Sequence, residues 1–472
     1  MRTTFAETLS GAQGQRRLAA ALIVGGVSLF ILVPMAVLGV GLPILGAALV
    51  LGVAAAATVV VPEVGLGLLI VNALVGLTHI TDLPTLGPLS IPIAFEGVLA
   101  LSFAFQVAVG RRKFFLGSAQ HALILLLTLW VVVSLLVSGN VHEENLEALR
   151  NLVLVRVLIF VLLTNILWSE ASLRRLVGLI TVSNVGLVAA SIATRLGVFG
   201  AEKQVISQRM LRTSALVQNP NNLAFDLTTM LILAVFTYLY VRSRWLKGLM
   251  LALAVVDAGV ILSTLSRSGF ISLVVVLVFM FFKLPRRTRL VAASLIVFLG
   301  LGLVAGSNIV KRFERINQLR EVDRYKLAMV GLNASTDNPF FGVGLGNYLR
   351  HFDEYNNQQL KRPMPTHNMY VNLAAEMGLP ALLLYLGLLA TTWWGLRRMD
   401  SALKRSGRSG SFDHIFNVAA QCFLVNLCVF GLSGDVEFEY SVFIMLGFAA
   451  LLHHRWSRGI REDGEAVPAV QG

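Results

Sequence analysis

The chain has 472 residues, 56% of them hydrophobic and only 14% charged. Its mean hydropathy is +0.75. A water-soluble domain carries nearer a quarter charged residues, so this balance excludes an ordinary soluble fold and places the chain in a bilayer. The formal net charge of +13 is spread over loop clusters, and no nucleic-acid partner is expected.

Arg16-Arg17 precede the first apolar run. That run continues into a second without a convincing cleavage site, so an uncleaved first helix is expected. Runs of about 20 apolar residues can cross a bilayer. They centre near residues 28, 50, 71, 99, 129, 158, 183, 230, 255, 275, 298, 381, 423 and 447. A spanning segment must satisfy its own backbone polar groups, so all of these are expected to be helices. The expected fold is all-α: one polytopic membrane domain over residues 1–472 with about 12–14 transmembrane helices. The runs near 50 and 71 are short and interrupted by Gly and Pro, which sets the lower count. Cys422 and Cys428 share one apolar run and read as small core residues rather than a disulfide or metal pair.

Lys and Arg recur at Arg16-Arg17, Arg111 to Lys113, Arg174-Arg175, Arg242 to Lys247, Lys283 to Arg289, Arg397 to Arg408 and Arg455 to Arg461. With fourteen spans these clusters share one side, which the positive-inside rule makes cytoplasmic. Both termini are then cytoplasmic, and segments 196–219 and 308–366 lie on the outer, periplasmic face. Those two segments are themselves basic. They carry Lys203, Arg209, Arg212, Lys311, Arg312, Arg315, Arg320, Arg324, Lys326, Arg350, Lys361 and Arg362. Long loops translocate regardless of charge, but an outer surplus this large also suits an anionic ligand.

Ionisable residues inside the expected spans are few: Glu96, Arg156, Asp226, Asp257 and Glu376, with Arg150 and Arg267 near span ends. Charge at bilayer depth is costly and marks function by default. In the orientation above all lie in the outer half, and the inner half holds none. They could line one polar cavity open to the outer face, or form separate structural pairs.

Within the outer segment, Asp323 to Thr336 reads as a short amphipathic helix. Tyr325, Met329 and Leu332 share one face, with Asp323 as N-cap. Asn338-Pro339 ends it. Gly342, Gly344 and Gly346 alternate after Phe340-Phe341, a weak nucleotide signal without a preceding strand; a tight turn that lets the backbone approach the membrane surface fits better. Asn347 to Asn357 reads as a second short helix. No metal-binding motif is present, and neither a metal nor another cofactor is expected. Pro365-Thr366-His367-Asn368-Met369-Tyr370 closes the segment and opens the next span. A histidine at that boundary can anchor a helix end or accept a proton, with Thr366 and Asn368 orienting the ring.

Several elements together resemble the family of O-antigen ligases and Wzy-type O-antigen polymerases. These are Arg212 before Gln218-Asn219-Pro220-Asn221-Asn222; Leu265-Ser266-Arg267-Ser268-Gly269; Arg324 ahead of Asn338-Pro339-Phe340-Phe341-Gly342-Val343-Gly344; and His367-Asn368-Met369-Tyr370 before Glu376-Met377-Gly378-Leu379-Pro380. The resemblance covers about residues 205–390, with the large outer loop 308–366 inside it. One position departs: the family's Trp a few residues after the Arg324 position is absent, and only the adjacent Tyr325 is aromatic.

The resemblance implies an integral enzyme of the bacterial inner membrane. It would transfer a glycan from a polyprenyl-pyrophosphate carrier to an acceptor hydroxyl, without metal, in surface polysaccharide synthesis. The acceptor would be a glycan or a lipid A-core, with membrane lipids around the protein. Arg212, Arg267 and Arg324 would bind pyrophosphate and His367 would be catalytic, with Arg209, Arg156, Asn368 and Glu376 as possible support. About fourteen spans, against the usual twelve of a ligase, favours a polymerase. A flippase for the same lipid-linked glycan should carry charge through both halves of the bundle and often internal repeats; neither is found. A non-catalytic assembly partner would use the outer arginines for complex formation alone.

Overall fold

The computed structural model describes residues 61–75, 91–167, 169–195, 219–284 and 324–458, with further helical positions at 52, 55–59, 289, 293 and 295. No strand occurs among them. In chain order the helices are α1 (Pro62–Val75), α2 (Ile91–Ala108), α3 (Ala119–Val137), α4 (Glu143–Arg150), a π-helical turn (Asn151–Val157), α5 (Leu158–Ile166), α6 (Glu170–Arg195), α7 (Pro220–Tyr240), α8 (Arg244–Thr264) and α9 (Arg267–Lys283). Then come α10 (324–337), α11 (Phe352–Tyr355), α12 (Met369–Arg405), α13 (Phe412–Phe430) and α14 (Tyr440–Ser457).

The chain is an all-α polytopic membrane protein. Six described helices are long and apolar enough to cross a bilayer: α3, α6, α7, α8, α12 and α13. Helices stand at each expected centre from 71 to 275 and from 381 to 447. The centres near 28, 50 and 298 lie outside the described residues, as does Arg16-Arg17.

Helices α7 and α13 form the middle of the bundle. Their apolar windows are 78% and 72% buried, against 39% for α3 and α8, which turn more surface to lipid. Between them Asn426 donates to Phe225 O (3.2 Å) and Thr229 Oγ1 (3.1 Å) and accepts from Ser272 Oγ at 2.6 Å, tying α13 to α7 and α9. Apolar surface gains little from helix–helix contact in lipid, so such interhelical hydrogen bonds, worth about 0.6–2 kcal/mol each, fix the register. Cys422 and Cys428 are free thiols, as expected of core fillers.

Helix α12 carries the decisive feature. Pro380 lies inside it, and Gly378 has φ 80° and ψ 172°. A break at proline frees carbonyls of the preceding turn, and an unmet polar group in hydrocarbon is costly. Here the glycine-rich segment meets them. Val343 N donates to Ala375 O (2.9 Å), and Gly344 N donates to Glu376 O (2.7 Å). Trp130 Nε1 donates to Met377 O (2.9 Å) and its ring stacks on Phe341. In return Leu379 N donates to Pro339 O (2.7 Å). The approach is so close that a Cβ on Gly378 would lie 1.9 Å from Phe340 O, and one on Gly342 (φ 64°) 2.4 Å from the Glu376 carbonyl carbon. The alternating glycines are therefore a docking turn against the kink of α12.

The outer segment differs from expectation in two places. Helix α10 buries Leu327, Val330 and Ala334 against Val343, Tyr348, Phe352 and Ala375. Tyr325 and Leu332 are exposed, so the face taken as apolar is not the packed one. The reason is size. A Cβ on Gly331 would sit 2.6 Å from Val371 Cγ1, so the small-residue side of α10 lets it close onto α12. Asp323 lies outside the described residues. Of the helix expected at 347–357, only Phe352–Tyr355 is helical.

The far end of α12 also differs. The helix continues to Arg405, and its buried Asp400 receives Lys283 Nζ and Lys404 Nζ at 3.1 Å each. Asp413 and Arg455 are buried nearby. This end of the bundle, expected to hold no charge, therefore holds some, gathered into local ion pairs.

Gly378→Ala should block accumulation of folded protein, because both φ and space forbid the new methyl. Gly387→Ala, in the same helix with its nearest neighbour Leu123 Cδ2 at 3.7 Å, should be neutral or raise stability by about 0.5–1 kcal/mol. Thermal unfolding of the two variants in detergent reads the difference.

Candidate functional site

The site is assembled from chain breaks. Asn368 caps α12: its Oδ1 accepts from Tyr370 N (3.0 Å) and Val371 N (3.1 Å). Its Nδ2 donates to Leu432 O at 3.2 Å, and Met369 N donates to Gly431 O at 2.8 Å. The start of α12 is thus laced to the link 431–439 between α13 and α14. His367 just before the cap has φ 52°, and Leu265 before the Ser266 cap of α9 has φ 54°. For side chains of this size the left-handed region costs about 1–2 kcal/mol, and such strain collects at functional sites.

His367 Nδ1 lies 3.3 Å from Asp435 Oδ2. The Thr366 hydroxyl lies 3.3 Å from the other Asp435 oxygen and accepts from Asn368 N at 3.3 Å. The His367 and Asp435 side chains keep 21% and 23% of their surface exposed, so the pair can be reached from outside. A carboxylate on Nδ1 holds one ring orientation and leaves Nε2 for proton transfer.

The arginines approach the same link. Arg267 is the first residue of α9, whose cap Ser266 accepts from Gly269 N at 3.1 Å. Arg324 donates to Ser268 Oγ at 3.2 Å, and Ser268 Oγ donates to Ser433 O at 3.3 Å. The start of α9, the start of α10 and the His367–Asp435 pair thereby share the 431–439 link. Arg156 joins farther along, donating from Nε to Phe438 O and lying 4.8 Å from the Tyr440 ring centroid. It sits in the π-helical turn, a distortion frequent at functional sites. Glu376 lies farther along α12. Its Oε2 accepts from Gly346 N at 3.0 Å and supports the docking turn. Arg209 and Arg212 lie outside the described residues.

Sequence reasoning missed Asp435, Glu437 and Glu439. Their signal was present: three acids alternate in Asp435-Val436-Glu437-Phe438-Glu439, between two apolar runs. Glu437 is buried and accepts from Asn372 Nδ2 at 2.7 Å. Burial pushes its carboxyl well above the ordinary 4.5, and the Asp435 charge adds to the rise. Burial raises Glu439 as well, opposed by Arg156 and by the Asn222 hydrogen bond. Asn222, from the Asn219 to Asn222 element, donates to Glu439 Oε1 at 2.6 Å.

The intramembrane ionisable residues do not all meet in one cavity. Asp257 takes Asn184 Nδ2 at 2.9 Å, and Asp226 takes Ser441 Oγ at 2.6 Å. These two are local pairs between helices. A buried carboxylate is costly unless a hydrogen-bond donor meets it.

Comparison with known families gives one result. Residues 252–386 match the family model described as O-antigen ligase. This is the family that the sequence motifs resemble. The match supports a membrane glycan-transfer role in surface polysaccharide synthesis. The O-antigen ligase match contains Arg267, Arg324, His367, Asn368 and Glu376, and ends before the link that carries Asp435. A comparison with curated proteins finds no match.

The buried Glu437 has a testable pH consequence. Its folded-state pKa is raised, so its stabilising contribution is complete below about 4.5 and is lost as pH rises through the folded value. Glu437→Gln keeps the hydrogen-bonding shape without the charge. Its thermal midpoint should therefore exceed the parent's at pH 8 and approach it near pH 4. Parallel pH profiles of the two proteins would contradict this account.

Proposed function

We propose that the protein is a glycosyltransferase moving a glycan from a polyprenyl-pyrophosphate carrier to an acceptor hydroxyl. The observation carrying this reading is the His367–Asp435 pair, tied through one link to the arginine-bearing starts of α9 and α10. His367 Nε2 takes the proton of the acceptor hydroxyl, while Asp435 on Nδ1 steadies the imidazolium that forms. The acceptor oxygen attacks the anomeric carbon, and the bond from that carbon to the pyrophosphate oxygen breaks. Arg267 and Arg324 hold the leaving pyrophosphate, whose planar bidentate recognition suits guanidinium. Arg212 and Arg209 supply further charge, while Arg156, Asn368 and Glu376 support the frame. The chemistry needs no metal and no cofactor, since arginine neutralises the departing charge.

In this reading the protein lies in the bacterial inner membrane with both termini cytoplasmic and the site facing the periplasm. Residues 205–390 form the catalytic region, and 308–366 its periplasmic loop. Ligase and polymerase differ only in the acceptor, a lipid A-core or a growing glycan. A flippase for the same carrier would use the arginines without a base.

Purified protein given lipid-linked donor and acceptor tests the chemistry. His367→Ala and Asp435→Asn should each lower kcat by about 10²–10⁴-fold, the usual worth of general base catalysis, with donor binding retained. Full turnover by His367→Ala, or activity abolished by a chelator and restored only by a divalent ion, would reject the mechanism. Arg267→Lys and Arg324→Lys should instead weaken donor binding, by roughly 10–150-fold if one charge-assisted bond is lost. Donor titrations at constant ionic strength would show it.

A further inference from the structure

A cavity of about 410 Å³ opens in the outer lobe, away from the His367–Asp435 pair. It lies between the C-terminal end of α3, the docking turn and α11, and is lined among others by Asn140, Asn338, Phe340, His351, Glu354 and Tyr355. Its size falls within the range of small-molecule sites, about 300–1,000 Å³. We propose that this cavity is a carbohydrate-binding subsite that grips a hydroxyl-rich segment of a glycan chain.

The polar groups are fixed in advance. Asn140 Nδ2 and His351 Nε2 are 3.1 Å apart, and His351 Nδ1 is 2.9 Å from Glu354 Oε1. Asn338 Nδ2 donates to Tyr355 OH at 2.8 Å. Amide, hydroxyl and carboxylate groups offer both donors and acceptors, as sugar hydroxyls require. Phe340 is 68% exposed at the rim, an apolar ring open beside the polar groups. A flat aromatic beside convergent polar groups matches the two faces of a pyranose, one apolar and one hydroxylated. The charge argues against a second pyrophosphate site. No Arg or Lys lines the cavity, and Glu354 would repel a phosphate.

The wall cannot drift relative to the reacting end. Asn338 to Val343 are pinned to the kink of α12, whose first residues follow His367. Gripping the chain there would hold its reacting end in register, so binding far from the bond broken would be felt in the rate.

The inference rests on the glycan-transfer reading, but its test does not need turnover. Defined oligosaccharides released by mild acid from the cell's own surface polysaccharide are titrated into purified protein and followed by saturation-transfer NMR. The parent should bind saturably. Phe340→Ala and Glu354→Gln change exposed side chains and should fold normally; each should weaken binding at least tenfold, while His367→Ala binds as the parent does. Unchanged affinity in both cavity variants, or no binding to the parent, overturns the subsite and leaves the reading of His367 standing. Binding lost in the cavity variants, with full transfer by His367→Ala, keeps the subsite and removes the proposed chemistry. In transfer assays Phe340→Ala should raise KM for the acceptor if the acceptor chain occupies the cavity, and for the lipid-linked donor if the donor chain does. An unchanged KM for both counts against the proposal.

Discussion

The structure depends on how a broken helix is satisfied at membrane depth. Gly378 and Pro380 interrupt α12, and the bilayer offers no water to its freed carbonyls. The answer comes from elsewhere in the chain: Val343 and Gly344 donate to Ala375 and Glu376, and the Trp130 indole donates to Met377. Every one of these bonds joins the outer lobe or α3 to α12. A defect in one helix thus becomes the anchor of the turn from Pro339 to Gly344. Only glycine at 342 and 378 lets the two backbones come this close. The same bonds make the outer lobe a rigid extension of the bundle, since moving it would strand polar groups in hydrocarbon.

That rigidity positions the candidate site. The N-terminus of α12 is fixed below by the kink and above by the Asn368 cap and the bond from Met369 N to Gly431 O. His367 between these constraints takes a backbone conformation that an unconstrained chain would avoid. The cost is met by the surrounding bonds, which leave the ring little choice but to face Asp435. Leu265 repeats the arrangement before α9. Two helix starts that carry candidate residues are therefore both entered through a strained residue and a serine or asparagine cap.

Much of this was legible in sequence, for stated reasons. Apolar runs gave the helices because length and hydropathy are local properties. His367 was readable as a boundary residue, while the capping roles of Asn368 and Ser266 came only with the structure. What was not legible depended on long-range pairing. Asp435 meets His367 across many residues of chain, and no spacing rule connects the link 431–439 to Pro365–Tyr370. The glycine alternation was read as a tight turn approaching the membrane surface, but what it approaches is the kink of α12 at Gly378. The wrong face was chosen for α10 because two apolar stripes compete there, and the decision falls to the small residue Gly331 against Val371. One shared polar cavity was also too simple. Asp257 and Asp226 found nearer partners on neighbouring helices.

The acidic link raises an electrostatic question that burial answers. In the proposed reading a pyrophosphate site lies beside three carboxylates, each of which would offset one arginine if fully charged. Burial raises Glu437 well above the ordinary carboxylate range, which favours the neutral form beside Asn372 and works against a full charge there. Glu439 is raised too, and Arg156 is set against it by charge and against Phe438 O by hydrogen bond. Asp435 is the acid of the three placed on the histidine ring. The alternation of the link therefore sorts its carboxyls by environment. Two have raised pKa values and accept hydrogen bonds from Asn372 and Asn222, and one lies against the His367 ring. In the proposed reading, an acid on the ring that has to become cationic serves proton transfer, while burial works against further negative charge beside the arginine-bearing helix starts.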